Sequence, residues 1–213
     1  MTIYWDAGMC ELYTTTRGDL ADAARSHNWD LVFSILREHE ELINCSRPGG
    51  VSLYTPLHQV AYAGGPIEVA QRLIEMGAWR TIQNCRGERP VDVAERQGHR
   101  HLLGQLEPQL KRHVPIGVLL KIEQHLHDLL QHKIEREVPA RNRRFPALEP
   151  LLELDLPEMW FVVPEMCEMY SGVGRFTYGF SSTGANATLE MKQLWPEESF
   201  AITSDGVRES HQA

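Results

Sequence analysis

A proline-anchored motif that recurs after 34 residues constrains this chain more than any other feature in it. Thr55-Pro56-Leu57-His58 is followed by Ala61, Gly64, Val69, Leu73-Ile74 and Gly77-Ala78. Arg89-Pro90-Val91-Asp92 opens a second round, with Ala94, Gly98-His99 and Leu102-Leu103 in the corresponding places. A fixed period of this size marks a repeated supersecondary unit, which buries its apolar face only by stacking on its neighbours. Each piece has a mechanical reason. Thr55 is a helix N-cap, and Pro56 takes the first helical position, where its missing N–H costs nothing. Ala61 is small where two helices cross closely. Gly64 and Gly98 end the first helix of each pair in a left-handed conformation, and Gly77 ends a second helix. Arg89 stands where a Thr would cap, so the third pair is expected to start weakly, with Glu88 or a backbone carbonyl compensating.

A degenerate pair precedes these two. Asp19-Leu20-Ala21-Asp22-Ala23-Ala24 supplies its first helix. Trp29 to Leu36 supplies its second, with Leu31, Val32, Ile35 and Leu36 on one face at helical spacing. His27 or Asn28 replaces the turn glycine, and both tolerate positive φ. The link to the next pair, Asn44 to Ser52, carries a turn-rich finger, Arg47-Pro48-Gly49-Gly50. Antiparallel helix pairs are therefore expected at 19–39, 55–76 and 89–106. Taken together, the motif resembles that of ankyrin-repeat proteins, whose period is about 33. The resemblance spans residues 18–107 and implies a mainly α fold, a helical stack of about three repeats. It also implies a structural role for His58, which bonds the Thr and neighbouring backbone in such repeats.

The ends of a stack expose apolar faces and need covers. Ile3, Tyr4, Trp5 and Leu12 are expected at one end. At the other, Pro115 opens a helix to about Glu137 with an apolar stripe of Leu119, Ile122, Leu126, Leu129 and Ile134, and Val138-Pro139 stops it. That helix is expected to cap the last pair. Residues 146–213 read differently. Met159-Trp160-Phe161-Val162-Val163 is strand-like, Phe176, Tyr178 and Phe180 alternate, and Thr188 to Trp195 and Ser199 to Thr203 follow. The expectation is a small antiparallel β-subdomain of three or four strands packed on the capping helix. The domains are thus 1–107, a basic helix and linker at 108–145, and an acidic β-meander at 146–213.

Charge divides along the same lines. The formal net charge is −8, but residues 108–145 carry 8 Lys and Arg against 4 Asp and Glu, and residues 146–213 carry 3 against 11. An overall acidic chain argues against a nucleic-acid partner, since phosphate binding needs a basic excess. No apolar run approaches the roughly 20 residues of a membrane span, and no signal peptide is visible, so a cytoplasmic location is expected. Cys10, Cys45, Cys85 and Cys167 stand far apart without a CxxC pair and read as reduced thiols.

Candidates for chemistry are sparse. His125, Asp128 and His132 share one side of the 115–137 helix, but a metal site needs three or four converging ligands with support behind them. Gly172-Val173-Gly174 lacks the third glycine and the helix of a dinucleotide loop. No Ser or Cys has a base at motif spacing, and Glu40-Glu41 and Glu197-Glu198 are merely adjacent. The reading is a non-enzyme with no cofactor and no metal.

The whole arrangement resembles small bacterial ankyrin-repeat proteins in which the repeats precede a helix and a Leu-Glu-Leu-x-x-Pro-x-Met-Trp-Phe segment, here Leu152 to Phe161. The resemblance implies recognition of another protein through finger tips and the exposed positions of the first helices, which form one concave surface. The positions that match are Arg25, Arg47, Gln59, Tyr62, Trp79, Arg80, Arg86, Arg96 and Gln97. Trp, Tyr and Arg dominate them, the types enriched in binding hot spots. Thr55, Pro56, Leu57, His58, Gly64, Gly77, Pro90 and Gly98 are the structural motif. A sharper alternative is an immunity protein that neutralises a basic bacterial toxin, because the acidic 146–213 segment suits a basic partner. An enzyme or metal protein is the alternative of a different class.

Overall fold

A computed structural model describes residues 14–135, 145–162, 175–193 and 197–210. The expectations for Ile3, Tyr4, Trp5, Leu12, Cys10, Val138-Pro139, Val163, Cys167, Gly172 to Gly174 and Trp195 lie outside these residues. The chain divides into two compact units, a helical one within Cys10–Gln109 and a second within Leu110–Ala213.

The helical unit follows its capping signals closely. α1 spans Thr14–Arg25, α2 Trp29–Glu38, α3 Pro56–Ala63, α4 Ile67–Glu75, α5 Pro90–Gln97 and α6 Leu103–Leu106. α1 packs on α2 and α3, and α3 on α4 and α5. His27 takes the left-handed turn between α1 and α2 at φ 60°, and the Asn28 side chain accepts the Leu31 N–H to cap α2. Gly64 at φ 64° and Gly98 at φ 78° terminate α3 and α5, where a Cβ would be strained. Gly77 at φ 99° follows α4. At the start of α5, Asp92, three residues on, accepts the Arg89 N–H at 2.7 Å. Leu57, Val60, Ala61, Leu73, Val93, Ala94 and Leu102 are sealed from solvent.

The second unit overturns the expected fold class. Five strands form one antiparallel sheet in the order β1-β2-β3-β4-β5: Glu158–Val162, Arg175–Ser182, Thr188–Gln193, Glu198–Thr203 and Gly206–Glu209. The architecture is therefore mixed α and β, not a mainly α ankyrin-repeat stack with a minor appendage. The physical reason lies in side-chain alternation. Met159, Tyr178, Met191 and Phe200 stand in one cross-strand row, and Phe180, Leu189 and Ile202 in the next, all on the buried face. Such rows are the unit of sheet stabilisation. α7, Ile116–Glu135, lays its buried stripe of Leu119, Ile122, Leu126, Leu130 and Ile134 beside β4 and β5. The expected packing of the strands on this helix is therefore present within the second unit. Leu130 belongs to the stripe, while Leu129 is half-buried. Lys133 bridges the elements, ion-paired to Glu198 and 4.5 Å from the Phe200 ring centroid.

Candidate functional site

The helix start at Thr55 organises a polar and aromatic cluster on the helical unit. The Thr55 backbone N–H donates to His58 Nδ1 at 3.3 Å, and Thr55 Oγ1 lies 2.9 Å from the same nitrogen. Because Nδ1 accepts, Nε2 carries the proton, which it donates to the Glu88 carbonyl at 3.2 Å. His58 is fully buried with both ring nitrogens engaged, so it ties α3 to the segment before α5.

Tyr54, immediately before the cap, stacks on the His58 ring at 5.4 Å and meets Tyr62 edge-on at 6.0 Å. Arg96 of α5 donates from its Nε to Glu88 Oε1 at 2.6 Å, from a terminal nitrogen to Glu88 Oε2 at 3.2 Å, and to the Tyr54 hydroxyl at 3.3 Å. The Arg96 hydrogen bonds, aided by Asn84, hold the Glu88 carboxyl below its usual range, and the Glu88 bonds hold Arg96 above its own. Tyr62 is 50% exposed. Its carbonyl accepts from His99 Nε2 at 3.2 Å. Tyr54, Tyr62 and Arg96 thus form a fixed aromatic–guanidinium ridge that faces water.

The other expected contact residues disperse around this ridge. Arg25 lies exposed beside an open groove of about 710 Å³, which Asp19, Asp22, Ser26, Leu31 and Ile35 also line. Arg47 is ion-paired to Asp22. Arg80 is half-buried, with Nε donating to the Gln105 carbonyl at 2.8 Å. Gln59 and Gln97 are half-buried, and Arg86 is exposed. Trp79 is the correction. It is not a surface tip but only 5% exposed, and its backbone N–H donates to Asn44 Oδ1 at 2.8 Å.

Sequence reasoning missed Tyr54 and named Glu88 only as a substitute cap for the third pair, although each directly precedes the first residue of a repeat motif. It set Leu31 on one face with Val32, Ile35 and Leu36; that side chain is 45% exposed at the groove. Among the described residues no three His, Cys, Asp or Glu side chains gather as metal ligands. His127 instead donates from Nε2 to the Pro146 carbonyl at 2.8 Å. No helix among the described residues is long and apolar enough to cross a membrane.

No protein-family model matches the chain. Solved structures resemble part of it. One is a chain from the complex of a predatory endopeptidase of Bdellovibrio bacteriovorus with an immunity protein, 26% identical with a TM-score of 0.35. That match covers 41% of this chain and 42% of the other, less than half of either.

Proposed function

We propose that this protein is a non-enzymatic binding module that holds a partner protein against the Tyr54–Tyr62–Arg96 ridge. The observation that carries the reading is preorganisation. Tyrosine and arginine are the side chains most often responsible for binding energy at protein interfaces. Ordering a long flexible side chain at an interface costs about 0.5–1.5 kcal/mol. Here Glu88 already holds the Arg96 guanidinium at two points, and His58 and Tyr62 already fix Tyr54, so little of that cost remains.

The test is capture from a lysate of the source organism by the full chain and by a Tyr62→Ala, Arg96→Ala variant. The expected outcome is a protein retained by the first and lost by the second, with both melting as folded proteins. Equal retention by both sinks the ridge.

A second reading, an immunity-type inhibitor of a basic toxin, is favoured by one observation. Glu158, Glu190, Glu197, Asp205 and Glu209 are exposed on the second unit, and residues 146–213 carry 11 acidic against 3 basic side chains. Adding the chain to the purified partner then abolishes that partner's activity; a partner fully active in the complex rules inhibition out.

A further inference from the structure

The open groove beside Arg25 is separate from the ridge. Every residue that lines it comes from α1 or α2, the first helix pair of the helical unit. Its surface is low and partly apolar. Ala23 carries only a methyl group, and the Ser26 hydroxyl turns back to donate to the Asp22 carbonyl at 2.8 Å. Leu31, 45% exposed, and Ile35 form the α2 wall. The end of a helical stack is a surface that calls for a cover.

The charges along α1 say what kind of cover fits. Asp19 and Arg25 stand three residues to either side of Asp22. Both are exposed, and neither enters an ion pair among the described residues. Asp22 itself is already paired with Arg47. An α-helix turns about 100° and rises about 1.5 Å per residue. Seen from Asp22, Asp19 therefore lies about 4.5 Å toward the N-terminus and about 60° to one side. Arg25 lies about 4.5 Å toward the C-terminus and about 60° to the other side. A two-fold axis through Asp22 exchanges these two places. It sets α1 antiparallel to α1 of a second copy, with each Asp19 over the other copy's Arg25. The pattern is its own electrostatic complement, as an isologous contact requires.

We propose that the α1–α2 groove is a self-association surface. A second copy of this chain docks there through two reciprocal Asp19–Arg25 pairs, with Leu31 and Ile35 supplying the apolar contact. Helices of 12 and 10 residues give a face about 18 Å long. Such a face falls short of the about 800 Å² per partner of a standard interface, so the dimer is reversible, with a dissociation constant on the order of 10 μM. Tyr62 and Arg96 line no part of the groove, so pairing leaves a ridge open on each copy. Self-association goes beyond the ridge and does not depend on it.

The test is sedimentation equilibrium of the purified full chain from about 1 to about 100 μM. The parent is expected to pass from monomer to dimer over that range, and less so at high salt, which screens exposed pairs. Asp19→Arg and Arg25→Asp each turn both attractions into repulsions. Each is expected to weaken the dimer at least about tenfold, with melting curves that match the parent because both side chains are exposed. An equimolar mixture of the two variants is expected to regain the dimer, since a wholly basic face then meets a wholly acidic one. A parent that stays monomeric, its groove then open to the chain's own residues 1–13 or to a different protein, overturns the proposal. So does a dimer indifferent to both variants, or one that the mixture fails to restore.

Discussion

The His99 imidazole donates from Nε2 to the carbonyl of Tyr62 at 3.2 Å and lies flush against Gly64, where an added Cβ would stand 2.5 Å from Nδ1. The left-handed turn that ends α3 is thus shaped by a ring from the following helix pair. Gly64→Ala should meet two penalties, the left-handed backbone, worth about 1–2 kcal/mol, and the ring. In a His99→Ala background only the backbone penalty should remain. Denaturant unfolding of the four proteins in this cycle checks it, and equal penalties in both backgrounds would show that the ring yields freely.

The Thr55–His58–Glu88 linkage carries the next expectation. Thr55→Val removes the α3 cap and should cost about 0.5–2 kcal/mol. His58→Ala leaves the buried Thr55 N–H without its acceptor and takes one donor from the Glu88 carbonyl, which keeps the Asn84 N–H, at about 1–3 kcal/mol. Both losses are measurable as lower urea midpoints. A His58→Ala protein of normal stability that had lost its binding partner would contradict the structural role.

Trp79 and Leu126 test the two cores separately. Trp79 is 5% exposed and Leu126 fully buried. Trp79→Ala should cost about 3–5 kcal/mol and Leu126→Ala about 2–5 kcal/mol. Calorimetry should show the first lowering the melting of the helical unit and the second that of the sheet unit. A near-neutral Trp79→Ala would return that side chain to the surface.

These residues also show where the sequence is legible. The helix pairs could be read because their signals are local: Thr55 caps, Pro56 and Pro90 start, and Gly64 and Gly98 stop. Trp79 was misplaced because its anchor, Asn44, is 35 residues away. Tyr54 escaped notice because its place just before the motif does not by itself give it a role; that role comes from His58, Tyr62 and Arg96, which the fold brings together. In the second unit the Phe176, Tyr178, Phe180 alternation revealed a strand directly. β5 did not reveal itself, since its residues are mostly exposed and carry no apolar alternation. The fold class was set too far toward helix because a strong periodic signal in one half outweighed weaker strand signals in the other. The stripe on α7 was recognised, and so was the packing of the strands on that helix.

Two shifted groups carry expectations for how stability changes with pH. Glu88 is held below its ordinary value by Arg96 and Asn84. In acid the unfolded chain therefore takes up a proton before the native one does. The Glu88 contribution is complete above the ordinary carboxylate range and is lost as pH falls through its lowered native value. Glu88→Gln should have a flatter acid limb. Tyr178 is pushed well above its ordinary value by burial, and next by the Glu123 charge. Here the unfolded chain loses its proton first, so the contribution is complete below about pH 10 and is lost as pH rises beyond that. Tyr178→Phe, which keeps the ring, should resist alkali better than the parent. Unfolding midpoints across both ranges check the two signs, and variants with unchanged limbs would remove these groups as the cause.

Binding kinetics separate the ridge from the acidic sheet unit as the main mode of recognition. If the ridge carries the energy, truncating Tyr62 should weaken the complex by about 2 kcal/mol or more, chiefly through faster dissociation, because short-range contacts persist until the partners separate. Folding should change little, since the side chain is 50% exposed. If the sheet unit dominates, Tyr62→Ala will be almost silent. Neutralising Glu190, Glu197, Asp205 and Glu209 together should then slow association, most at low salt, because exposed charges act through a field screened within about 10 Å at 0.1 M. Glu198 and Asp155 are left out of that set because Lys133 and Lys111 already pair with them. The ridge is favoured because its side chains are locked in place by named partners, whereas the acidic side chains are dispersed over the sheet unit and also serve its solubility. Association rates indifferent to salt, together with a silent Tyr62→Ala and Arg96→Ala pair, would leave neither surface as the binding site.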